Sequence, residues 1–440
     1  MTAADPDSRY VTDIPYARRF VRELSPAWLD FTALICGFAP PARESAFAWC
    51  ELGCGHGVTP AFLAAMAPQA TFYGFDLMPD HIGFARALCR DAGIENAEFH
   101  ALDFAAASAL DLPEFDYIVA HGVYSWVDAA ARADLRRFLQ RHLKPGGLVY
   151  LSYDCQPGWA ADMPLQHLLR MIAERAHGDS IARFESADRV IRGMMAADAA
   201  VLRLGAVGRE WETLREKLPP AYFVHEFLPP GWQPLYVHEV RRAMAEIGLT
   251  PVGSATIREN VDAFTLDRAA RDLIAANPDP DIRELMRDYF LMKRFRRDVY
   301  GGSVARLGDA RQRQRVLGTR FLAAVSDDAL PQFEDPTAKW ILELLAAGPA
   351  APTALLAEGI APESLAAQTL ALVAGGRIWP VEAEADAVSV ASLNAVLRKR
   401  VGGPDEIGFV ALPAGTAIEL SGERLQDFRR NGTIPSAVSP

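Results

Sequence analysis

Long apolar runs are missing from this chain of 440 residues: none reaches the roughly 18 residues that a membrane-spanning helix needs, so no membrane insertion is expected. Cysteine is scarce. Its five positions, Cys36, Cys50, Cys54, Cys89 and Cys155, have neither disulfide-like nor zinc-like spacing. Met1 to Arg9 is polar and acidic, unlike a secretory signal. A reducing, cytoplasmic setting is the simplest expectation. Positive charge is also short, and the net charge of −11 argues against a nucleic-acid surface. That balance is compatible with a basic substrate, although most acidic proteins are merely soluble. The pairs His225-Glu226 and His238-Glu239 lack the His-Glu-x-x-His form and an evident third ligand, so hydrogen bonding is expected of them and no metal. Half of the residues are nevertheless hydrophobic, enough for a large core and, at this length, about three domains.

What is present centres on Trp49-Cys50-Glu51-Leu52-Gly53-Cys54-Gly55-His56-Gly57-Val58-Thr59-Pro60. An apolar run ends in an acid, three glycines follow at alternate positions, and a helical run from Ala61 to Ala67 comes next. Strand, glycine turn and helix bring backbone close to a ligand at a helix N-terminus. The dinucleotide fingerprint fails because Val58 stands where its third glycine belongs, and no Gly-Lys-Ser/Thr follows for a phosphate loop. The Glu-x-Gly-x-Gly-x-Gly form instead resembles the first motif of the seven-stranded, Rossmann-like methyltransferases, which bind S-adenosyl-L-methionine. A Gly-rich turn of another α/β protein is the alternative.

Ala70 to Asp76 reads as a second strand ending in an acid, placed to accept from ribose hydroxyls or to cap the helix that begins at Pro79. A third strand, Ala97 to Leu102, ends at Asp103-Phe104, and a fourth, Phe115 to Ala120, runs into His121-Gly122-Val123-Tyr124-Ser125-Trp126-Val127. A helix from Arg132 to Leu143 and the turn Lys144-Pro145-Gly146-Gly147 lead into a fifth, Leu148 to Tyr153. The resemblance implies cofactor contacts at Glu51, Gly53, Cys54, Gly55, Gly57, Asp76, Leu77 and His121. It also implies that Asp103 holds the adenine amino group, with Phe104 against the ring; a plain loop acid is the other reading of Asp103. Tyr16, on an N-terminal arm, either reaches the methionine carboxylate or packs with Tyr10 on the sheet.

The segments His121 to Val127 and Ser152-Tyr153-Asp154-Cys155-Gln156-Pro157-Gly158-Trp159, with the two His-Glu stretches, resemble methyltransferases carrying a methyltransferase regulatory domain, among them rickettsial outer-membrane-protein lysine methyltransferases. One departure is Asp154, where that family usually has Asn after the Tyr of the fifth strand; a substrate contact carried over to it is in doubt. The resemblance implies a SAM-binding core with N-terminal arm (1–160), a helical insertion that mediates dimerisation (161–218), completion of the core sheet (219–260), and a C-terminal winged-helix-like domain (331–440). Residues 261–330 are read from their dense mixed charge as a helical, solvated middle region. Met194-Met195 is read either as an oligomer face or as ordinary core. The presumed second and third helices of the winged helix, Pro352 to Leu356 and Leu365 to Val373, carry almost no Lys or Arg, so a protein contact is expected of it and DNA binding is not.

The expected activity is direct N-methylation of lysine in a protein substrate. Tyr124 and Trp126 would flank the amine from one side if their segment stays extended, and His121, Tyr153 or Asp154 would orient it or take its proton. A methyltransferase for a small metabolite, or a SAM-binding regulator without turnover, are the rival readings.

Overall fold

The computed structural model describes residues 11, 13, 14, 16–42, 46–324, 335–382 and 385–434. Met1 to Arg9 and Tyr10, for which the sequence carries expectations, lie outside them. Seven strands form one sheet: β1 (Ala48–Leu52), β2 (Thr71–Asp76), β3 (Ala97–Ala101), β4 (Phe115–Ala120), β5 (Leu143–Asp154), β6 (Leu249–Ser254) and β7 (Phe295–Gly302). Their order is β3-β2-β1-β4-β5-β7-β6, with β7 antiparallel to both of its neighbours and β1 to β5 parallel. β1 and β4 are wholly buried, as their continuous apolar runs require in a sheet covered on both faces. Asp116 ties three of these parts together: its Oδ2 accepts from the Ala48 N–H at 2.9 Å and from Lys144 Nζ at 2.7 Å. The chain turns from one direction across the sheet to the other between β1 and β4. A crevice opens there at the strands' carboxyl ends, where ligands of such sheets bind.

Helices cover both faces. Ser25 caps Pro26–Ile35 by accepting from the Trp28 N–H, and Gly93, at φ +71°, ends Pro79–Ala92. The expected insertion is helical: Met163–Ala173, Ser180–Ala196 and Trp211–Lys217, joined by Pro220–Phe227, bury Leu165, Leu169, Phe184, Trp211 and Phe223 in a core of their own. Met194 and Met195 pack half-buried against that core.

Two expectations are corrected. Residues 261–330 are not a purely helical, solvated layer, because they contain β7, an interior strand. Its charge misleads: Arg296 is buried, with Asp288 Oδ1 at 2.5 Å and Asp298 Oδ1 at 2.9 Å, so the dense charge here is an internal ion network. The sequence also suggests a loose tail after Arg429, but the helix Gly422–Asn431 runs past that point.

The C-terminal part holds Pro336–Ala346, a 3-10 stretch Pro352–Glu358 and Pro362–Ala374. The strand expected as a wing, Ile378–Pro380, pairs with Phe321–Ala323, which precedes those helices. Ala387–Arg400 then packs on the helices Val58–Met66 and Pro79–Ala92. Ser392 Oγ donates to the Ala92 carbonyl at 2.7 Å, and Arg400 pairs with Asp91 at 2.9 Å. Val390, Leu393 and Leu397 share one hydrophobic cluster with Ala61, Phe62 and Leu88.

Candidate active site

The glycine turn after β1 divides its work. Gly53, Gly55 and Gly57 all have positive φ, which favours glycine. At Gly57 a Cβ would stand 2.5 Å from the Phe99 ring and 2.6 Å from Ala85, so this glycine serves packing. At Gly55 a Cβ would meet nothing within 4 Å and would project into open space. Asp76 holds the turn: one oxygen accepts from the Gly55 N–H at 2.8 Å, the other from the Met78 N–H at 2.9 Å, with His81 Nδ1 at 3.3 Å. Burial alone would raise its carboxyl, but the His81, Met78 and Gly55 hydrogen bonds hold it below the usual range. Glu51 is the opposite case. Burial, and then the field of Asp76, push it up to about 8, and its Oε2 has no partner among the described residues.

A cavity of about 470 Å³ opens over these strand ends. Gly53, Gly55, Asp76, Leu77, Asp103, Phe104, His121 and Trp126 line it, and Tyr16 closes it from the arm, edge-on to His225 at a centroid distance of 5.0 Å. Asp103 also accepts from the Ala106 N–H at 2.7 Å, capping Phe104–Ala109. Glu51, Cys54 and Gly57 lie behind the wall. His121 sits at the end of β4 with Nδ1 2.9 Å from the Tyr150 hydroxyl and 3.3 Å from Ser152 Oγ. Burial, then Arg297 and Arg19, lower it to about 4, so its imidazole is neutral.

The segment after β4 is a turn, closed by the Trp126 N–H on the Val123 carbonyl at 2.9 Å, and not the extended piece expected. Tyr124 and Trp126 therefore part company. Trp126 faces the cavity, while Tyr124 is buried and its hydroxyl accepts from Arg136 at 3.1 Å. Tyr153 is likewise in the core, donating to Asp298 at 2.7 Å. Asp154, buried at the end of β5, accepts from Trp232 Nε1 at 2.7 Å.

Among the lining residues absent from the sequence reading of the site is His225; its signal was the His-Glu stretch, read as structural. His225 does line the cavity, with Nε2 3.0 Å from the Ile14 carbonyl. Glu226 stands beside it on Pro220–Phe227, and Tyr222 one turn earlier. The second pair differs: Glu239 accepts from the Tyr236 N–H at 3.1 Å, at the start of Val237–Ala245.

These residues fit an adenosyl cofactor. The open space at Gly55 is a cradle that any side chain would fill, and Glu51 Oε2 and His81 Nε2 are buried polar atoms without a partner among the described residues.

Comparison with known proteins agrees with this geometry. Residues 50–149 match a family model described as a methyltransferase domain, and residues 219–301 one described as a predicted methyltransferase regulatory domain. The chain is 36% identical over 292 residues to an uncharacterized protein of Synechocystis sp., covering 66% of this chain and 58% of that one. It is 32% identical over 166 residues to an uncharacterized protein of Rickettsia prowazekii, covering 37% and 64%. It thus spans less than two thirds of the length of either. It is 30% identical over 205 residues to the fatty-acid O-methyltransferase of Mycolicibacterium smegmatis, covering 41% and 67%. Among solved structures, PKMT2 from Rickettsia typhi in complex with AdoHcy superposes with a TM-score of 0.73 at 18% identity, covering 94% of this chain and 88% of that one.

Proposed function

The chain belongs to the S-adenosylmethionine-dependent methyltransferases, and from that premise we propose that it methylates lysine side chains of a protein substrate. The observation that carries this reading is the charge of the cavity. Beside Asp76 and Asp103, which would face the cofactor, its described lining includes Asp128 and Asp134, the latter paired with Arg137, and neither Lys nor Arg. Such a wall favours a cationic acceptor and disfavours an anionic one. The motif resemblance to protein-lysine methyltransferases supports the same class.

When bound, S-adenosylmethionine supplies a methyl group already activated on a sulfonium. The protein's residues are left with binding, orientation and removal of water. Gly55 would admit the cofactor, Asp76 would hold its ribose, and Asp103 and Phe104 would hold its adenine. Trp126 and Tyr16 also line the cavity, and their rings would attract an ammonium before it loses its proton. Neutral His121 adds no repulsion there. The amine must meet the methyl carbon in line at about 3–3.5 Å.

The fatty-acid O-methyltransferase among the relatives suggests a second reading, a small carboxylate acceptor. The acidic lining works against it. Incubation with methyl-labelled cofactor and fractionated lysate separates the two. Label on lysine, read by peptide mass spectrometry, is expected; label extracted only into lipids or metabolites overturns the lysine reading.

A further inference from the structure

We propose that a second cavity, beside β6 and β7, binds a small zwitterion that carries an ammonium and a carboxylate, such as a free amino acid.

This cavity has a volume of about 300 Å³ and shares no lining residue with the cofactor cavity. It lies between Val237–Ala245, Pro280–Leu291, the end of β6 and the start of β7. Its size is at the low end of small-molecule sites. Arg241, Arg287, Lys293 and Arg296 line it, and the carboxylates of Glu259, Asp262, Glu284 and Asp288 match them in number. A wall so balanced disfavours a ligand of net charge of either sign. It is no metal site, since among the described residues no group of three or more His, Cys, Asp or Glu could hold a metal ion.

Most of these charges are spent on one another. Arg296, itself buried, donates to Asp288 Oδ1 and to Glu284 Oε1, both at 2.5 Å. Arg287 forks onto Asp262 at 2.7 and 2.8 Å, and Lys293 pairs with Glu259. Two atoms are left over. Asp288 Oδ2 has no partner among the described residues, on a side chain only 2% exposed. Arg241 Nε has none there either, although the same guanidinium reaches Glu284 Oε2 at 3.2 Å. Glu284 thus links the two, with one oxygen on Arg241 and the other on the arginine that holds Asp288. One leftover atom accepts and the other donates, and each is costly to leave unmatched away from water. A ligand ammonium donating to Asp288 and a ligand carboxylate accepting from Arg241 would match both without changing the net charge. Cys36, Val252 and Leu291 give apolar surface for the ligand's own side chain.

The test uses the full chain saturated with S-adenosylhomocysteine, so that the cofactor cavity cannot take up a free amino acid. Thermal unfolding is followed with each common α-amino acid at about 10 mM, and with acetate and methylammonium as single-charge controls. At least one amino acid is expected to raise the melting temperature by about 2 °C or more, and neither control to do so. The amino acid with the largest effect is then titrated by calorimetry into the parent, Asp288→Asn and Arg241→Gln. Each folded variant is expected to bind it about tenfold more weakly, with unchanged affinity for S-adenosylhomocysteine. Asp288→Asn keeps an oxygen for Arg296, and should it fail to fold, Arg241→Gln decides alone. No shift with any amino acid overturns the inference. So does an equal shift with acetate or methylammonium, which would make this a simple ion site. Full amino-acid affinity in a folded variant overturns it as well.

Discussion

Asp76 and Glu51 lie side by side under the cofactor cavity and meet opposite environments. Asp76 spends its oxygens on the Gly55 and Met78 amides, so the carboxylate proposed to face the ribose also shapes the turn. Asp76→Ala is therefore expected to weaken cofactor binding by about 1.5–3 kcal/mol, measured by calorimetry, and to lower the melting temperature as well. A change under about 0.5 kcal/mol in affinity, with stability alone reduced, would leave Asp76 as a turn residue only. Glu51 has donors for at most one of its oxygens. Its folded pKa, about 8, lies above the ordinary carboxylate value. As pH rises through that window the unfolded chain releases its proton first, so the folded state loses stability until pH passes the folded value. Glu51→Gln should remove this decline. In cofactor-free protein, its melting temperature should gain on the parent's between about pH 5 and pH 8, by up to a few kcal/mol in stability. A constant difference across that range would show that Glu51 keeps its charge. Both acids could be named from sequence because they end strands beside glycines. Their contrast could not, because it depends on which backbone amides point at which carboxylate.

The element that decides the acceptor side is the turn after β4. From sequence it reads as an extension of the strand, which would align Tyr124 with Trp126. The hydrogen bond from the Trp126 N–H to the Val123 carbonyl breaks that alternation. Tyr124 goes to the core and Trp126 to the cavity. Tyr124→Phe removes a buried hydrogen bond with Arg136, so it should cost about 1 kcal/mol of stability while turnover per folded molecule is kept. Trp126→Ala should do the reverse, raising the acceptor KM through lost ring area and cation attraction with a small change in melting temperature. If Tyr124→Phe lowers kcat in fully folded protein, the tyrosine reaches the acceptor after all. The strands themselves were legible where apolar runs meet turn residues, as in β1, β2 and β4. β7 was not, because Phe295-Arg296-Arg297-Asp298 looks like a solvated helix until Asp288 and Glu284 are seen around Arg296. Buried ion pairs of distant partners leave no period in a sequence.

At the scale of the whole molecule, cofactor motifs and C-terminal part look separable in sequence: every glycine and acid of the cofactor site precedes Trp159. On that view, removing residues 333–440 would spare cofactor binding. The fold argues otherwise. Val390, Leu393 and Leu397 cover the helices that start from the glycine turn and from β2. Uncovering each would forfeit roughly 1.5–3 kcal/mol of burial. The arm that carries Tyr16 is fastened to the same part of the chain. Arg18 donates to the Pro404 carbonyl at 2.6 Å and pairs with Asp405 at 3.3 Å, and the Arg22 guanidinium lies over the Trp379 ring at 3.4 Å. The C-terminal part thus holds one wall of the cavity from a distance. A chain ending at Ala324 is expected to lose both solubility and cofactor affinity. Arg22→Ala gives the finer test. It releases the arm without exposing the shared core, so affinity for S-adenosylhomocysteine should fall several-fold while the melting temperature moves by only a few degrees. A folded Arg22→Ala protein with full affinity would mean that the arm needs no C-terminal anchor. A truncated chain that folds and binds cofactor as well as the parent would restore the separable picture.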